Sequence, residues 1–112
     1  MTSANFPATL ERQDVGDSTK LIIQGALDEI STEDLRSGLE AIIHEDRREV
    51  VLDLSRLTLV TSSGVDVLVK VYKAVTAQPG GQVYIVGLCG QPLAIFKLLR
   101  LDRMLGDISR SR

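Results

Sequence analysis

Aromatic side chains are scarce in this chain: its 112 residues include two Phe, two Tyr and no Trp. A core must therefore be built from Leu, Ile and Val, and there are too few aromatic rings for the stacking platforms that bind single-stranded nucleic acid. The formal net charge is −2 and the sequence pI is about 5.3. Because this composition offers no strongly basic surface to follow a phosphate backbone, we expect no nucleic-acid partner.

Cysteine is nearly absent as well, since Cys89 is the only one. An internal disulfide is therefore excluded, which suits a reducing cytoplasm. Because Cys89 follows an apolar run, the sequence favours an inert, partly buried thiol over a reactive one. The first residues lack the pattern of a secretory leader, and no apolar run reaches the roughly 18 residues that a membrane span needs. We expect a cytoplasmic protein with no membrane insertion.

The residue sets of common catalytic and metal sites are also missing. His44 is the only histidine and no metal-ligand spacing surrounds it, so a surface or capping role is favoured and no cofactor or metal is expected. A serine nucleophile needs a base, usually histidine, and no Gly-x-Ser-x-Gly sequence occurs. The glycine-rich loops that hold nucleotide phosphates do not occur either. These absences argue against an enzyme.

What the sequence does contain is an alternation of β-branched runs and helical patterns, typical of one α/β domain. Because helices separate the second, third and fourth strands, right-handed crossovers should make those strands parallel neighbours. We predict a mostly parallel central sheet of four to five strands, flanked by three or more helices, with an N-terminal β-hairpin. The run at 49–54 is typical of a central strand that is buried on both faces. The predicted strands cover 8–13, 19–25, 49–54 and 82–88, with a possible fifth at 104–108, and the helices begin at Ser31, Gly64 and Gly90.

Two of the predicted helices carry specific local patterns. Ser31 and Asp34 fit a capping box, in which the serine oxygen accepts a hydrogen bond from a first-turn N–H group. In the next helix, Asp66 and Lys70 have the spacing of an ion pair between successive turns. The polar stripe of that helix is narrow, so the segment 65–75 is either largely buried or presents an apolar flank to a partner.

The junction before the second helix carries the clearest functional signal. An apolar run ends at two adjacent serines, Ser62 and Ser63, where a strand-side segment passes into a helix. The free N–H groups and the dipole of a helix start favour negative charge. Asp28 follows the neighbouring parallel strand, so Asp28 and Ser63 could share one surface. The serines either cap the helix, which composition alone favours, or carry a reversible phosphate.

Three short motifs together resemble the STAS domain, a family named for sulfate transporters and anti-sigma factor antagonists. They are Gly25-x-Leu27-Asp28, the run Val50-Val51-Leu52-Asp53-Leu54-Ser55, and Ser62-Ser63-Gly64-Val65. The resemblance covers residues 8–108 and predicts one STAS domain, with flexible termini at 1–7 and 109–112. Since little else is present, the chain looks like a free-standing bacterial anti-sigma factor antagonist that regulates transcription.

The resemblance implies a partner switch controlled by phosphorylation. In the family, a GHKL-type anti-sigma factor kinase phosphorylates the second serine of an Asp-Ser-Ser-Gly motif, which corresponds to Ser63. The unphosphorylated antagonist binds that kinase and frees the sigma factor, and a metal-dependent serine phosphatase resets the switch. The residues assigned to partner binding are Asp28, Thr61, Ser62, Ser63, Gly64 and Asp66.

One position departs from the family pattern, because Thr61 stands where the family usually has aspartate. Threonine keeps a hydrogen-bonding oxygen but lacks the charge, which bears on phosphorylation efficiency and on the identity of the partner. The alternative hypothesis is a STAS module that docks on a transporter or binds a small ligand without being phosphorylated. The oligomeric state stays open at this point.

Overall fold

A computed structural model describes residues 6–45 and 47–101 of the chain. The elements alternate between sheet and helix, as the sequence predicts. A single 3₁₀ turn, Ile42–His44, follows the first helix. The strands are β1 (Thr9–Val15), β2 (Ser18–Leu27), β3 (Glu49–Val60) and β4 (Gln82–Val86), and the helices are α1 (Glu29–Ala41), α2 (Ser62–Thr76) and α3 (Gly90–Leu98).

The four strands of the described residues form one mixed sheet in the order β1-β2-β3-β4. β1 and β2 are antiparallel, and Val15 pairs with Ser18 across a tight turn, which confirms the predicted hairpin. β2 with β3 and β3 with β4 are parallel, as right-handed crossovers require. The sheet is therefore mostly parallel, and the predicted fold class is confirmed. The possible strand at 104–108 lies outside the described residues.

The core lies between one face of the sheet and the helices. Alternate residues of β3 are fully buried, whereas Val51 and Asp53 between them are half-buried. The prediction that this strand is buried on both faces is therefore wrong, because only one of its faces carries fully buried side chains. The largest fully buried side chains are Phe96, Leu21, Ile23, Leu27, Leu39, Ile42, Leu52, Leu54, Leu68 and Ile85.

Several element boundaries differ from those that the sequence predicts. α1 begins two residues before Ser31, α2 begins two residues before Gly64, and β3 continues six residues beyond Leu54. β3 is longer because its second half pairs with β2, up to the pair Leu27 and Val60. That pairing joins residues far apart in sequence, so local pattern gives no indication of it.

The ion pair predicted between Asp66 and Lys70 is replaced by a contact between helices. The ammonium group of Lys70 lies 3.1 Å from Glu40 Oε2 on α1. Arg36, one turn earlier on α1, lies 3.5 Å from the same carboxylate oxygen. Hydrogen bonding from Lys70 holds the pKa of Glu40 below its usual range. Lys70 therefore helps to fix the packing of α2 against α1.

Charged side chains concentrate at the end of the sheet where β3 begins. Arg12 on β1 hydrogen-bonds Glu45 and lies 2.9 Å from Asp14 Oδ1, and Arg47 lies 3.3 Å from the other oxygen of Asp14. The hydrogen bonds from Arg12 lower the pKa of both carboxyl groups. This cluster joins β1 to the segment between the first helix and β3.

The side chains of His44 and Cys89 are both exposed. His44, the last residue of the 3₁₀ turn, is exposed, in line with the predicted surface role. Cys89 is exposed and occupies the position just before α3, so the prediction of a partly buried thiol is wrong. β4 ends at Val86, so Cys89 lies in the connection between β4 and α3 and not in the strand.

Candidate functional site

Two neighbouring parallel strands end together and each passes directly into a helix. Leu27 closes β2 and Val60 closes β3, and the two residues are paired in the sheet. The backbone N–H of Thr61 donates a 3.1 Å hydrogen bond to the carbonyl oxygen of Leu27. Asp28 and Thr61 consequently hold the N-cap positions of two helices that begin side by side at the carboxyl edge of the sheet.

The start of α1 is capped by Asp28. Its carboxylate oxygen Oδ1 accepts a 2.9 Å hydrogen bond from the backbone N–H of Ser31. This hydrogen bond is the main reason why the pKa of Asp28 lies below its ordinary value. The predicted capping box at Ser31 and Asp34 is therefore wrong, because β2 leads straight into the helix and the earlier carboxylate takes the cap. Ser31 is buried instead, and its hydroxyl oxygen accepts from the N–H of Ala8 at 3.2 Å.

The start of α2 has no such side-chain cap. Thr61 makes no capping hydrogen bond, and its hydroxyl instead donates to the carbonyl oxygen of Leu27 at 3.4 Å. Ser62 and Ser63 are the first two residues of the helix rather than its cap; Ser62 is exposed and Ser63 half-buried. The first-turn N–H groups thus donate no hydrogen bond to the N-cap side chain. The interpretation that the two serines merely cap the helix is wrong.

Gly64 lets the first turn of α2 lie directly on the ends of both strands. A Cβ atom at this position would lie 2.7 Å from Cγ2 of Val60 and 2.9 Å from Cδ2 of Leu27. Both of those side chains are fully buried and have little room to move. Gly64 is therefore required by close packing, and it fixes the height at which Ser62 and Ser63 emerge from the sheet edge.

Gly25 has a different role in the same corner. Its φ of +96° is unfavourable for other residues, and a Cβ atom would lie 2.8 Å from the carbonyl oxygens of Phe6 and Pro7. The register of β2 against β3 shifts at this point, as expected for a bulge. In the motif Gly25-x-Leu27-Asp28, Gly25 thus lies at the bulge, Leu27 packs in the core and Asp28 caps α1.

A shallow depression of about 340 Å³ lies between the two helix starts. Its lining consists of Asp28, Glu29, Ile30 and Thr61. Ile30 is 76% exposed, so the lining presents one apolar side chain beside two carboxyl groups. Sequence analysis missed Glu29 and Ile30, because it placed the start of the helix after them. Of the residues predicted to bind a partner, Asp28 and Thr61 line this depression, whereas Ser62, Ser63, Gly64 and Asp66 do not.

Comparison with known proteins identifies the family. A model of the STAS domain matches residues 7–112. The chain belongs to the STAS domain family. Among curated proteins, no sequence matches it.

Solved structures similar to this STAS domain include proteins of two kinds. An anti-sigma factor antagonist from Mycobacterium paratuberculosis has a TM-score of 0.78 at 17% identity, over 92% of this chain and 86% of that chain. The Bacillus cell fate determinant SpoIIAA in its phosphorylated form has a TM-score of 0.69 at 18% identity, over 93% and 100%. A sulfate transporter family protein from Wolinella succinogenes has a TM-score of 0.65 at 15% identity, over 81% and 73%. These likenesses establish the fold.

Within residues 6–45 and 47–101, no group of three or more His, Cys, Asp or Glu side chains is arranged to hold a metal ion. His44 precedes the start of β3, so it lies at the opposite end of the sheet from Ser63. Over the same part of the chain, no helix is both long and apolar enough to cross a membrane.

Proposed function

We propose that this STAS domain is a cytoplasmic anti-sigma factor antagonist that acts by partner switching. Unphosphorylated, it binds a GHKL-type anti-sigma factor kinase; phosphorylation of Ser63 releases it, and a metal-dependent serine phosphatase restores it. The observation that carries the proposal is the start of α2, which has two serines in its first turn and no side-chain cap. Asp28 lies at the adjacent helix start and contributes to the same surface.

A phosphate is compatible with this position in the fold. It adds about −1.5 to −2 charges at neutral pH. The uncapped N–H groups and the positive end of the α2 dipole favour that charge, so the helix need not unfold to accept it. Thr61 brings no charge of its own to the N-cap, so a phosphate on Ser63 meets less repulsion than it would beside an aspartate.

The same phosphate changes what can dock on the surface. The depression beside Thr61 is lined by the exposed apolar side chain of Ile30 and by the carboxyl groups of Asp28 and Glu29. A partner that covers both Ile30 and the start of α2 would have to remove water from the phosphate, which costs free energy. Phosphorylation can therefore release a partner without rearranging the domain, and no catalytic step by this chain is needed.

The choice of Ser63 over Ser62 rests on the resemblance of Ser62-Ser63-Gly64 to the family motif. Ser62 is the more exposed of the two hydroxyls, so it provides the matched control. Wild-type protein, Ser63→Ala and Ser62→Ala are incubated with γ-labelled ATP and a clarified extract of the native cells. We expect wild type and Ser62→Ala to incorporate label and Ser63→Ala to incorporate none, with the site read by mass spectrometry. Label that persists on Ser63→Ala contradicts the assignment.

Binding gives the second half of the test. The kinase purified as the labelling activity is immobilised, and its affinity for wild type, Ser63→Ala and Ser63→Glu is measured. Ser63→Glu places a negative charge at the junction, so it should bind at least tenfold more weakly than wild type, whereas Ser63→Ala should bind as wild type does. Equal binding of all three proteins would refute the release mechanism.

A second candidate function is a STAS module that binds a small ligand or docks on a transporter without phosphorylation. A separate depression of about 310 Å³ favours it, lined by Phe6, Pro7, Thr9, Gln24, Gly25, Arg56 and Thr58. The fold is also shared with the sulfate transporter family protein. Intact mass spectra of protein from its native cells decide between the two functions, because only the first predicts a phosphoryl adduct.

A further inference from the structure

Among the strands of the described residues, none pairs with the second half of β3 on the edge that faces β4. β4 pairs with β3 only as far as Val86 opposite Asp53, which leaves the second half of β3 beyond the end of β4. The chain then turns at Gly87, whose φ is +76° and where a Cβ atom would lie 2.5 Å from Cβ of Ser55. The segment 87–91 thus leaves β4 in close contact with β3 before α3 begins.

Gln91, the second residue of α3, supplies hydrogen bonds where β4 no longer reaches. The backbone N–H of Val60 donates to Oε1 of Gln91 at 2.9 Å, and Nε2 of Gln91 donates to the carbonyl oxygen of Val60 at 3.0 Å. A primary amide carries both a donor and an acceptor, so one side chain can satisfy both backbone groups of a strand residue. The amide of Gln91 therefore takes the place of a neighbouring strand at the last residue of β3.

This contact lies directly beside the proposed phosphorylation site. Thr61, the N-cap of α2, follows Val60 and is held on the other side of the strand by its 3.1 Å hydrogen bond to Leu27. The end of β3 is thus fixed from both edges, by β2 on one side and by Gln91 on the other. Since Thr61 contributes no capping bond, these contacts and the packing of Gly64 hold the first turn of α2 in place.

We propose that Gln91 is a positioning residue: its amide bonds to Val60 hold the turn that presents Ser63, and so set the rate of phosphorylation from a distance. Gln91 does not contact the reacting hydroxyl. The effect on phosphorylation rests on the proposed function, whereas the effect on the backbone does not.

Hydrogen exchange tests the backbone effect without any partner. Gln91→Ala removes both bonds to Val60, and Gln13→Ala, which removes an exposed amide on β1, is the matched control. We expect exchange at the amides of Val60 and Thr61 to accelerate roughly tenfold in Gln91→Ala, because the two lost hydrogen bonds together are worth a factor of about ten. The amide of Leu52, in the middle of β3, should exchange as in wild type. Acceleration that is equal at all three amides, or absent at Val60, overturns the proposal.

The Gln91→Glu variant should recover the hydrogen bonds to Val60 only at low pH. A side chain that acted by packing alone would show no such pH dependence. The ionised carboxylate has no proton to donate to the carbonyl oxygen of Val60, whereas the protonated acid can donate and accept as the amide does. Repulsion from that carbonyl oxygen raises the pKa of the introduced acid, so the folded protein favours its neutral form. The excess exchange at Val60 relative to wild type should therefore shrink as the pH falls from 7 towards about 4.5. If the excess exchange at Val60 in Gln91→Glu does not change with pH, the proposal is contradicted.

Phosphorylation is then compared with labelled ATP and the same clarified extract. We expect Gln91→Ala to be labelled about tenfold more slowly than Gln13→Ala, in proportion to its faster local exchange. Equal labelling rates, with exchange at Val60 accelerated, overturn the positioning role. If Ser63→Ala is labelled as wild type is, the proposed function fails, and the exchange result still stands by itself.

Discussion

The two helices that begin at the carboxyl edge of the sheet are held in different ways. Asp28 caps α1 with its carboxylate, and the buried hydroxyl of Ser31 in the same first turn accepts from the N–H of Ala8. α2 begins one strand further along with Thr61 at the same position, and that side chain forms no cap. The chain holds this second start by packing Gly64 against the strands and by the amide of Gln91.

The polar groups at the two helix starts therefore differ in whether they are already used in hydrogen bonds within the fold. A capped helix start has already used its carboxylate for stability, and its charge is partly neutralised by the N–H groups it serves. An uncapped start keeps its N–H groups available for a group that arrives later, such as a phosphate. We therefore expect the start of α1 to contribute mainly to stability and, under the proposed function, the start of α2 to contribute mainly to regulation.

Among substitutions at the two helix starts, Gly64→Ala is expected to lower the free energy of unfolding most. The added methyl group would contact Val60 and Leu27 at less than 3 Å, and neither buried side chain can move away. We expect a loss of about 1–3 kcal/mol in the free energy of unfolding, measured by urea denaturation. Phosphorylation of Ser63 should slow as well, because the first turn of α2 has to shift.

Gly38→Ala on α1 is the matched control for that substitution. Its added methyl group would lie 3.0 Å from Cδ2 of Leu10, the end of a partly buried and flexible side chain. The gain in helix propensity, about 1 kcal/mol, should offset this contact. If Gly38→Ala costs as much stability as Gly64→Ala, the loss at Gly64 does not come from its close contacts with Val60 and Leu27.

A smaller effect is expected at Asp28, where two substitutions separate cap from charge. Asn also caps helices well, so Asp28→Asn should leave the urea midpoint close to wild type, whereas Asp28→Ala should lower it. If Asp28 also contacts the kinase through its charge, Asp28→Asn should bind that partner more weakly while it stays stable. Normal binding by Asp28→Asn would restrict the residue to its capping role.

The pH dependence of stability gives a further readout of the same cap. The hydrogen bond from the N–H of Ser31 holds the pKa of Asp28 below the ordinary aspartate value of 3.8. The stabilisation is therefore present above that value and is lost as the pH falls through the lowered pKa of the folded state. Wild type should lose stability relative to Asp28→Asn over this acid range, and parallel pH profiles would contradict the cap.

The smallest effects are expected at Thr61. Since it forms no capping bond, Thr61→Ala should cost less than the roughly 1 kcal/mol usually lost with an N-cap. Thr61→Asp should stabilise α2 by about 0.5 kcal/mol, because a carboxylate can accept from the free N–H groups. Urea denaturation measures both. The same Thr61→Asp variant should be phosphorylated more slowly if the phosphate needs those N–H groups, and an unchanged rate would show that it does not.

The sequence predicted some features of the site and missed others for identifiable reasons. Asp28, Ser62 and Ser63 were found because strand-to-helix junctions have a local pattern and because short motifs resemble the STAS family. Ile30 was missed, because the helix was expected to begin after it and an exposed isoleucine has no local signature. Gln91 was missed for another reason: its partner Val60 lies 31 residues earlier in the chain.

The sequence by itself determined the order of the elements, the fold class and the family, because these depend on hydrophobic period, turn residues and short motifs. The tertiary structure alone decided which side chain caps which helix, how far β3 extends, and that Lys70 pairs with Glu40 instead of Asp66. These features depend on contacts between residues that are distant in sequence and adjacent in space. The free N–H groups at Ser62 and Ser63 belong to this second kind, since only the folded chain leaves them without a cap.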